Sequence, residues 1–173
     1  MNNKEIKFIT RTAILLALTI VFQSIGRLFP AGFNSQFIVG PLVNASLLVA
    51  TAAVGIWGGA IIAVLTPFGA ILTAAQIPLP LAPIIAVGNF MLVLGFYIVK
   101  KKKAIGIVVG AMLKFGFMFA AISVFVRATA VPEAKATGLL TAFTWPQLAT
   151  ALIGGAIALV VIATLKRSMD MWE

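Results

Sequence analysis

The chain of 173 residues contains no cysteine and no histidine, and it has only four acidic residues. Without cysteine there is no disulfide or thiolate metal ligand, and without histidine the commonest general base and zinc ligand are missing. The acids are Glu5, Glu133, Asp170 and Glu173, which lie near the chain ends or in a polar loop. No two carboxylates are therefore expected to meet in the core. We predict that the protein is not an enzyme and binds no metal.

Charged residues are also scarce, at 10% of the chain, whereas hydrophobic residues make up 62%. A soluble domain has roughly 25% charged residues and 45–50% apolar ones. A globule of this composition would expose large apolar patches to water, and a bilayer is the solvent that suits it. We therefore predict an all-α integral membrane protein with a single domain at residues 1–173.

Long apolar runs divide the chain into membrane spans, each of which needs roughly 20 residues. Residues 78–80 (PLP) and 100–103 (KKKK) separate two pairs of these runs, and a tight turn at 57–59 (WGG) separates another. The sequence predicts a compact bundle of six transmembrane helices, at residues 8–28, 38–56, 57–75, 81–99, 104–126 and 142–165.

The basic residues predict the orientation of this bundle, because cytoplasmic loops carry an excess of lysine and arginine. Nine of the 13 lie on the side of the two termini: Lys4, Lys7, Arg11, residues 100–103, Lys166 and Arg167. Three lie on the other side: Arg27, Arg127 and Lys135. We predict cytoplasmic N- and C-termini, with the net charge of +9 reflecting topology and not a nucleic-acid partner.

Lys114, the thirteenth basic residue, lies in the middle of the predicted fifth span. A cation at the bilayer centre costs about 2.5–3.5 kcal/mol on insertion scales, and a carboxylate in another span would usually offset this. No predicted span contains an acid. One interpretation is that Lys114 reaches an interface or stays neutral. The interpretation that we favour is that the missing anion is a small-molecule ligand.

Further polar residues concentrate in the outward half of the predicted bundle, which indicates a pocket open to the outside. Each amide could instead form an interhelical hydrogen bond, each arginine could anchor at headgroups, and the tryptophan could belong to an interfacial belt. With Lys114, the predicted substrate-binding residues are Asn34, Gln36, Asn44, Asn89, Arg127, Trp145 and Gln147.

Several stretches resemble a known family, the substrate-binding S components of energy-coupling factor (ECF) vitamin transporters. Residues 11–17 (RTAILLA) are similar to the alanine motif in that family's first span. Residues 40–45 (GPLVNA), 66–67 (TP) and 88–89 (GN) resemble stretches of uncharacterised members. The size and the six-span topology match as well, so the resemblance covers essentially the whole chain.

Membership in this family would imply the partners and the mechanism. The S component takes up a scarce micronutrient from outside, beneath a lid formed by the first outer loop. It then docks on a membrane scaffold, the T component, which two ATPase subunits drive. By this resemblance Ala13 and Ala17 would contact the scaffold, and this chain would need no cofactor, since ATP is used by the partners. The location would be the plasma membrane of a prokaryote.

We therefore predict the S component of an ECF-type ABC importer, which captures a vitamin-like anionic compound such as pantothenate. Two alternatives remain at this stage. A small oligomeric channel or exporter would show polar residues along whole spans, whereas here they lie in the outer half. A membrane assembly subunit without a ligand would pair Lys114 with an acid in a partner's span.

Overall fold

The computed structural model describes residues 2–30, 35–72, 78–129 and 131–168. Its described residues form helices joined by short connections. Three of these connections contain 3-10 turns, at Ile25–Leu28, Leu79–Leu81 and Lys100–Lys102. The helices are α1 (Asn3–Ser24), α2 (Gln36–Val54), α3 (Ile56–Leu72), α4 (Ala82–Ile98), α5 (Lys103–Ala128), α6 (Glu133–Phe143) and α7 (Trp145–Ser168).

Five helical stretches are long and apolar enough to cross a membrane: Asn3–Leu28, Gln36–Val54, Leu79–Ile98, Lys100–Ala128 and Glu133–Lys166. The shorter apolar helix α3 is about 26 Å long at 1.5 Å per residue, close to the ~30 Å thickness of a hydrocarbon core. The all-α membrane fold predicted from the sequence is confirmed. The side of the membrane on which the termini lie stays a prediction.

Consecutive helices run up and down, so the bundle has two ends. We call one the lysine-rich end; it holds the start of α1, Gly55, residues 100–103 and the end of α7. The other, the loop end, holds residues 25–30, 35, 78–81, 129 and 131–144. Gly55 alone separates α2 from α3 and has a φ of +92° with an extended ψ, a conformation open essentially only to glycine.

Helix α2 occupies the centre of the bundle and packs most extensively against α7, while α4 packs most extensively against α5. Eleven of the 19 residues of α2 are buried. Leu47 and Leu48 of α2 are fully buried in one hydrophobic cluster with Ile62 of α3 and with Leu92 and Phe96 of α4. Large apolar side chains of α3 and α4 therefore pack against those of α2.

The connection between α5 and α7, predicted as a polar loop over 127–141, contains the eleven-residue helix α6. Leu139, Leu140 and Phe143 of α6 pack against a second cluster that includes Ile122 of α5. Its other side is polar and exposed at Glu133 and neighbouring residues. This short amphipathic pattern follows a proline at 132, and it was too weakly apolar to be distinguished from a loop by hydropathy.

Candidate ligand site

Lys114 of α5 lies inside the bundle and is only 3% exposed. Its Nζ donates hydrogen bonds to Oδ1 of Asn44 on α2, at 2.7 Å, and to Oδ1 of Asn89 on α4, at 2.9 Å. Because a lysine ammonium has donors and no acceptor, both amides must turn their oxygens towards it. Three of the predicted site residues therefore meet at one point, although 70 and 25 positions separate them in sequence.

The polar contacts continue from Asn44 to α7. The Asn44 side-chain nitrogen donates to Oγ1 of Thr150 at 3.3 Å, and Thr150 Oγ1 donates to the backbone oxygen of Gln147 at 3.2 Å. Asn44, Asn89, Lys114 and Thr150 are all buried. We call these four residues the polar centre; it joins α2, α4, α5 and α7.

Close approach of α2 and α7 sets Asn44 opposite Thr150. A Cβ added at Gly154 would lie 2.5 Å from the Pro41 backbone oxygen and 2.8 Å from the Asn44 Cβ, so the two backbones nearly touch at this level. Small residues permit such contacts between membrane helices, where van der Waals packing drives association. The glycine on α7 therefore determines how near Asn44 comes to α7.

A similar contact positions the other half of the polar centre. Gly88, which precedes Asn89 on α4, faces Met118, one turn after Lys114 on α5. A Cβ at Gly88 would lie 2.6 Å from the Met118 sulfur. The side chains of Asn89 and Lys114 therefore project into the same narrow space between α4 and α5.

The polar centre contains more N–H donors than its described acceptors use. A lysine ammonium has three N–H donors and each asparagine amide has two. Lys114 uses two donors, and within the described part of the chain the Asn89 side-chain nitrogen makes no hydrogen bond. The two described acids lie outside the polar centre, Glu5 in the first turn of α1 and Glu133 in the first turn of α6; Asp170 and Glu173 are outside the described residues. The unused groups would suit a ligand with several oxygen acceptors.

The polar centre lies nearer to the loop end than to the lysine-rich end along α2, α4 and α7. Asn44, Asn89 and Thr150 are roughly 12, 10 and 8 Å from the loop-end termini of their helices, at 1.5 Å per residue. From the lysine-rich end, Asn44 and Asn89 are about 15 and 14 Å deep by the same measure. Lys114 itself is about 17 Å from the lysine-rich end of α5 and about 21 Å from the other end of that helix. Along α2, α4 and α7 the shorter way in is therefore from the loop end.

The polar centre is enclosed in this structure. Two clefts on the surface lie elsewhere: one of about 220 Å³ beside the start of α1 and one of about 490 Å³ between α4 and α5. The second is lined by apolar side chains, including Ile84, Phe117 and Phe125, and is open to the surroundings. Neither of these clefts is lined by Lys114. Because the four side chains of the polar centre are buried, neighbouring segments must move apart before a ligand can reach Lys114.

Three other predicted site residues gather where α2 and α7 begin. Gln36 Nε2 donates to the Ala142 backbone oxygen at 2.8 Å, and the ring of Trp145 lies 5.6 Å from the ring of Phe37, centroid to centroid. Trp145 is 55% exposed and Gln147 is half-buried. These residues form a rim at the loop end, where Gln147 lies less than one turn and Trp145 about one and a half turns before Thr150 on α7. None of them is hydrogen-bonded to Lys114.

The remaining predicted residues are dispersed. Arg127 lies exposed at the end of α5, and Asn34 lies outside the described residues. Ala13 and Ala17, predicted to dock on a scaffold, are exposed on the surface of α1. The structure therefore places neither alanine in the core, and their role in docking stays a prediction.

Sequence reasoning missed Thr150. A lone threonine in a membrane helix commonly bonds to the backbone of its own preceding turn, so it gives no signal of a site. Thr150 does bond to Gln147, but it also accepts from Asn44, which is 106 positions away. Among the residues that the structure describes, no group of three or more His, Cys, Asp or Glu side chains could hold a metal ion.

A family model describing the substrate-specific component of ECF transporters matches residues 7–165 of the 173. The chain belongs to this family. No curated protein and no solved structure matches it. As an ECF S component, it is a multi-pass membrane subunit of a transporter, and such components are not enzymes. The resemblance noted in the sequence is confirmed.

Proposed function

We propose that this S component captures a small anionic, vitamin-like solute from outside the cell and holds its anionic group at Lys114. A pantothenate-like carboxylate is the specific ligand that we propose. The observation that carries this proposal is that Lys114 is buried and its described partners are two neutral amide oxygens. One N–H donor of its ammonium is unused, and no described carboxylate pairs with it. A bound carboxylate would supply both the missing charge and the missing acceptors.

The polar centre supports recognition of more than charge. The side-chain nitrogen of Asn89 has two unused N–H donors, and Asn44 is held in place by Thr150. A ligand carboxylate would replace an amide oxygen at Lys114 and free that amide to bind another polar group of the ligand. The rim residues Gln36, Trp145 and Gln147 lie on the shorter route from the loop end, where a solute would enter.

The distribution of basic residues, nine on the side of the termini against three on the other, supports one orientation of the bundle. We propose that the lysine-rich end faces the cytoplasm of a prokaryotic cell and the loop end faces outward. Single cysteines introduced at Lys101 and Lys135 in this cysteine-free chain test the orientation. An impermeant thiol reagent applied to whole cells should label the cysteine at position 135 and leave position 101 unlabelled.

Release of the solute requires partners that the family implies. We propose that the subunit docks on a T component driven by two ATPase subunits and that Ala13 and Ala17 form part of the docking surface. Their small exposed side chains on α1 would allow another helix to approach closely. ATP is then used by the partner subunits, and this chain needs no cofactor of its own.

The assembly alternative, in which Lys114 pairs with an acid of a partner's span, fits the geometry less well. Lys114 is 3% exposed and bonded to two helices of its own chain. A partner's carboxylate could not reach it without opening the bundle. The channel alternative needs an open polar path, and the polar centre is enclosed by α2, α4, α5 and α7.

The decisive experiment compares a carboxylate with a neutral analogue of the same shape. Pantothenate and its primary alcohol, pantothenol, are titrated onto the purified subunit. We expect pantothenate to bind more tightly by about tenfold to a hundredfold, since hydrogen bonds to charged groups contribute about 1.5–3 kcal/mol. Lys114→Met should abolish that preference, whereas Lys101→Met, which removes an exposed lysine at the lysine-rich end, should leave it unchanged.

Two results would contradict the proposal. Equal affinity of the wild-type protein for pantothenate and pantothenol would show that Lys114 does not recognise the carboxylate. A preference that survives in a folded Lys114→Met protein would place the anion elsewhere. If neither compound binds, the same pairing of acid and alcohol is applied to other vitamin carboxylates, and failure of the whole panel would overturn the anionic ligand class.

A further inference from the structure

A stripe of three cations follows one face of α1 at the lysine-rich end. Lys4, Lys7 and Arg11 are spaced three and four residues apart, so their side chains lie above one another on the helix. With Phe8, and with Val54 at the end of α2, they line the cleft of about 220 Å³ beside the start of α1. The two lysines are exposed and Arg11 is half-buried. The cleft therefore has one cationic wall and one apolar wall.

The described residues supply this cleft with no counter-charge. Glu5 is the nearest acid in sequence, and its Oε2 accepts a hydrogen bond from the backbone N–H of Asn2 at 3.0 Å, as part of the helix cap. Among the described residues, none of the three cations forms an ion pair. Like charges at these spacings repel one another on a helix. A bound anion would remove that repulsion.

The surroundings strengthen the attraction for anions. The lysine-rich end also holds the four lysines at 100–103 and Lys166, and no described acid other than Glu5 lies there. A concentration of one sign of charge raises the local concentration of ions of the other sign. The cleft is nevertheless set apart from the lysine loop, since its lining comes from α1 and α2 only.

We propose that this cleft binds the phosphate group of an anionic phospholipid. The position, in the first turns of a membrane helix, is where headgroups meet protein, and basic pockets between membrane helices bind such headgroups. Lys4, Lys7 and Arg11 contact the phosphate, while Phe8 and Val54 contact the glycerol and the first methylenes of the acyl chains. The site is separate from the predicted docking residues, since Ala13 and Ala17 lie at least ~80° around the helix axis from all three cations and nearer to the middle of α1.

The test uses the full chain reconstituted with defined lipids and examined by native mass spectrometry. Lys7→Gln/Arg11→Gln removes two charges from the cleft, and Lys101→Gln/Lys102→Gln removes two from the exposed lysine loop at the same end. In mixtures of phosphatidylglycerol and phosphatidylcholine, we expect the wild type and the loop variant to retain phosphatidylglycerol. The cleft variant should retain it at least about tenfold less.

Further arms identify the source of the phosphate and guard against misfolding. Inorganic phosphate and glycerol 3-phosphate are added to protein in phosphatidylcholine alone. If these solutes raise the melting temperature of the protein, and the wild type retains no phosphatidylglycerol in the lipid mixtures, the phosphate would come from a free solute and not from a lipid. A charge-preserving Lys7→Arg/Arg11→Lys variant should retain the lipid as the wild type does, which separates loss of charge from loss of fold.

Two other outcomes would also overturn the proposal. Equal loss of lipid from the cleft and loop variants would indicate nonspecific attraction by the whole end. Unchanged lipid retention by the cleft variant, together with loss of copurifying protein partners, would indicate that the cations serve an acidic protein surface.

Discussion

Helices α1 and α2 are consecutive apolar helices of similar length, but the bundle surrounds them differently. Of the most apolar 18-residue window in each, 17% is buried for α1 and 61% for α2. The buried residues of α1 are Thr12, Thr19 and Gln23, whereas Ile14, Leu18 and Val21 are exposed. In α2 the core contains leucine, valine and alanine side chains together with Asn44.

This comparison shows how packing works in a lipid solvent. Lipid tails are as apolar as leucine, so exposing an aliphatic face costs little, and helices associate through close packing and polar contacts. Helix α1 is attached by such contacts: Gln23 Nε2 donates to the Thr66 backbone oxygen at 3.1 Å, next to Pro67 in α3. Buried Oγ1 of Thr12 and Oε1 of Gln23 have no hydrogen-bond partner among the described residues. Helix α1 is therefore the less firmly held of the two.

The largest difference in stability between α1 and α2 should appear when a glycine that packs against each of them is replaced by alanine. Gly154→Ala places a Cβ 2.5 Å from the backbone oxygen of Pro41 in α2, which cannot move alone. Gly69→Ala places a Cβ 3.1 Å from Ile20 of α1, whose flexible side chain can turn away. We expect a loss of roughly 3 kcal/mol or more at Gly154 and a change within about 1 kcal/mol at Gly69. Thermal unfolding in detergent measures both, and equal losses would contradict the comparison.

The second-largest difference in stability should come from replacing a buried polar residue of α2 and one of α1. Asn44→Leu removes one of the two described acceptors of Lys114, so we expect a loss of about 1.5–3 kcal/mol. Gln23→Leu removes one hydrogen bond and also an unpartnered oxygen, so the loss should stay below about 1 kcal/mol.

A double-mutant cycle tests the reason for the Asn44 effect. Lys114→Met in the Asn44→Leu background should recover part of the lost stability, because no buried cation then lacks an acceptor. The free energy of unfolding of the four proteins gives the coupling. Strict additivity would show that Asn44 acts through packing alone.

Truncation of apolar side chains should give a smaller difference. Leu48→Ala leaves a void in the core around α2 that the surrounding helices cannot fill, at a cost of about 1–2 kcal/mol. Leu18→Ala on α1 leaves a gap that lipid tails can fill, so we expect less than about 0.5 kcal/mol. Melting temperatures of the two variants in the same lipid check this. A larger loss at Leu18 would mean that α1 is covered by something other than lipid.

The smallest effect on stability should come from enlarging the exposed alanines of α1. Ala17→Leu should change the free energy of unfolding by less than about 0.5 kcal/mol, since its side chain faces outward. The matched Ala50→Leu on α2 adds the same atoms at a fully buried position and should cost about 1–3 kcal/mol. If Ala17 docks on the T component, Ala17→Leu should still reduce copurification of the scaffold and ATPase subunits. Unimpaired assembly would remove Ala17 from the docking surface.

Hydropathy alone predicted which segments form long apolar helices, because the apolar character of a 20-residue run is a property of that run. The number of basic residues near each connection likewise gave the predicted orientation, and the lack of any acid in a span identified Lys114 as the residue to follow. Family membership was also accessible from the order and spacing of short stretches such as residues 11–17.

Only the tertiary structure decided which side chains of each helix face the interior of the bundle. Lys114 meets Asn44 and Asn89 because Gly154 and Gly88 let particular helices approach closely, and no local pattern specifies such pairs. The burial of threonine and glutamine on α1 was not predicted either, because in lipid the most apolar face of a helix need not turn inward, so the sequence pattern does not say which face packs against the bundle. The sequence determined that a lysine lies in the membrane, and the packing of four helices decided that amide oxygens surround it.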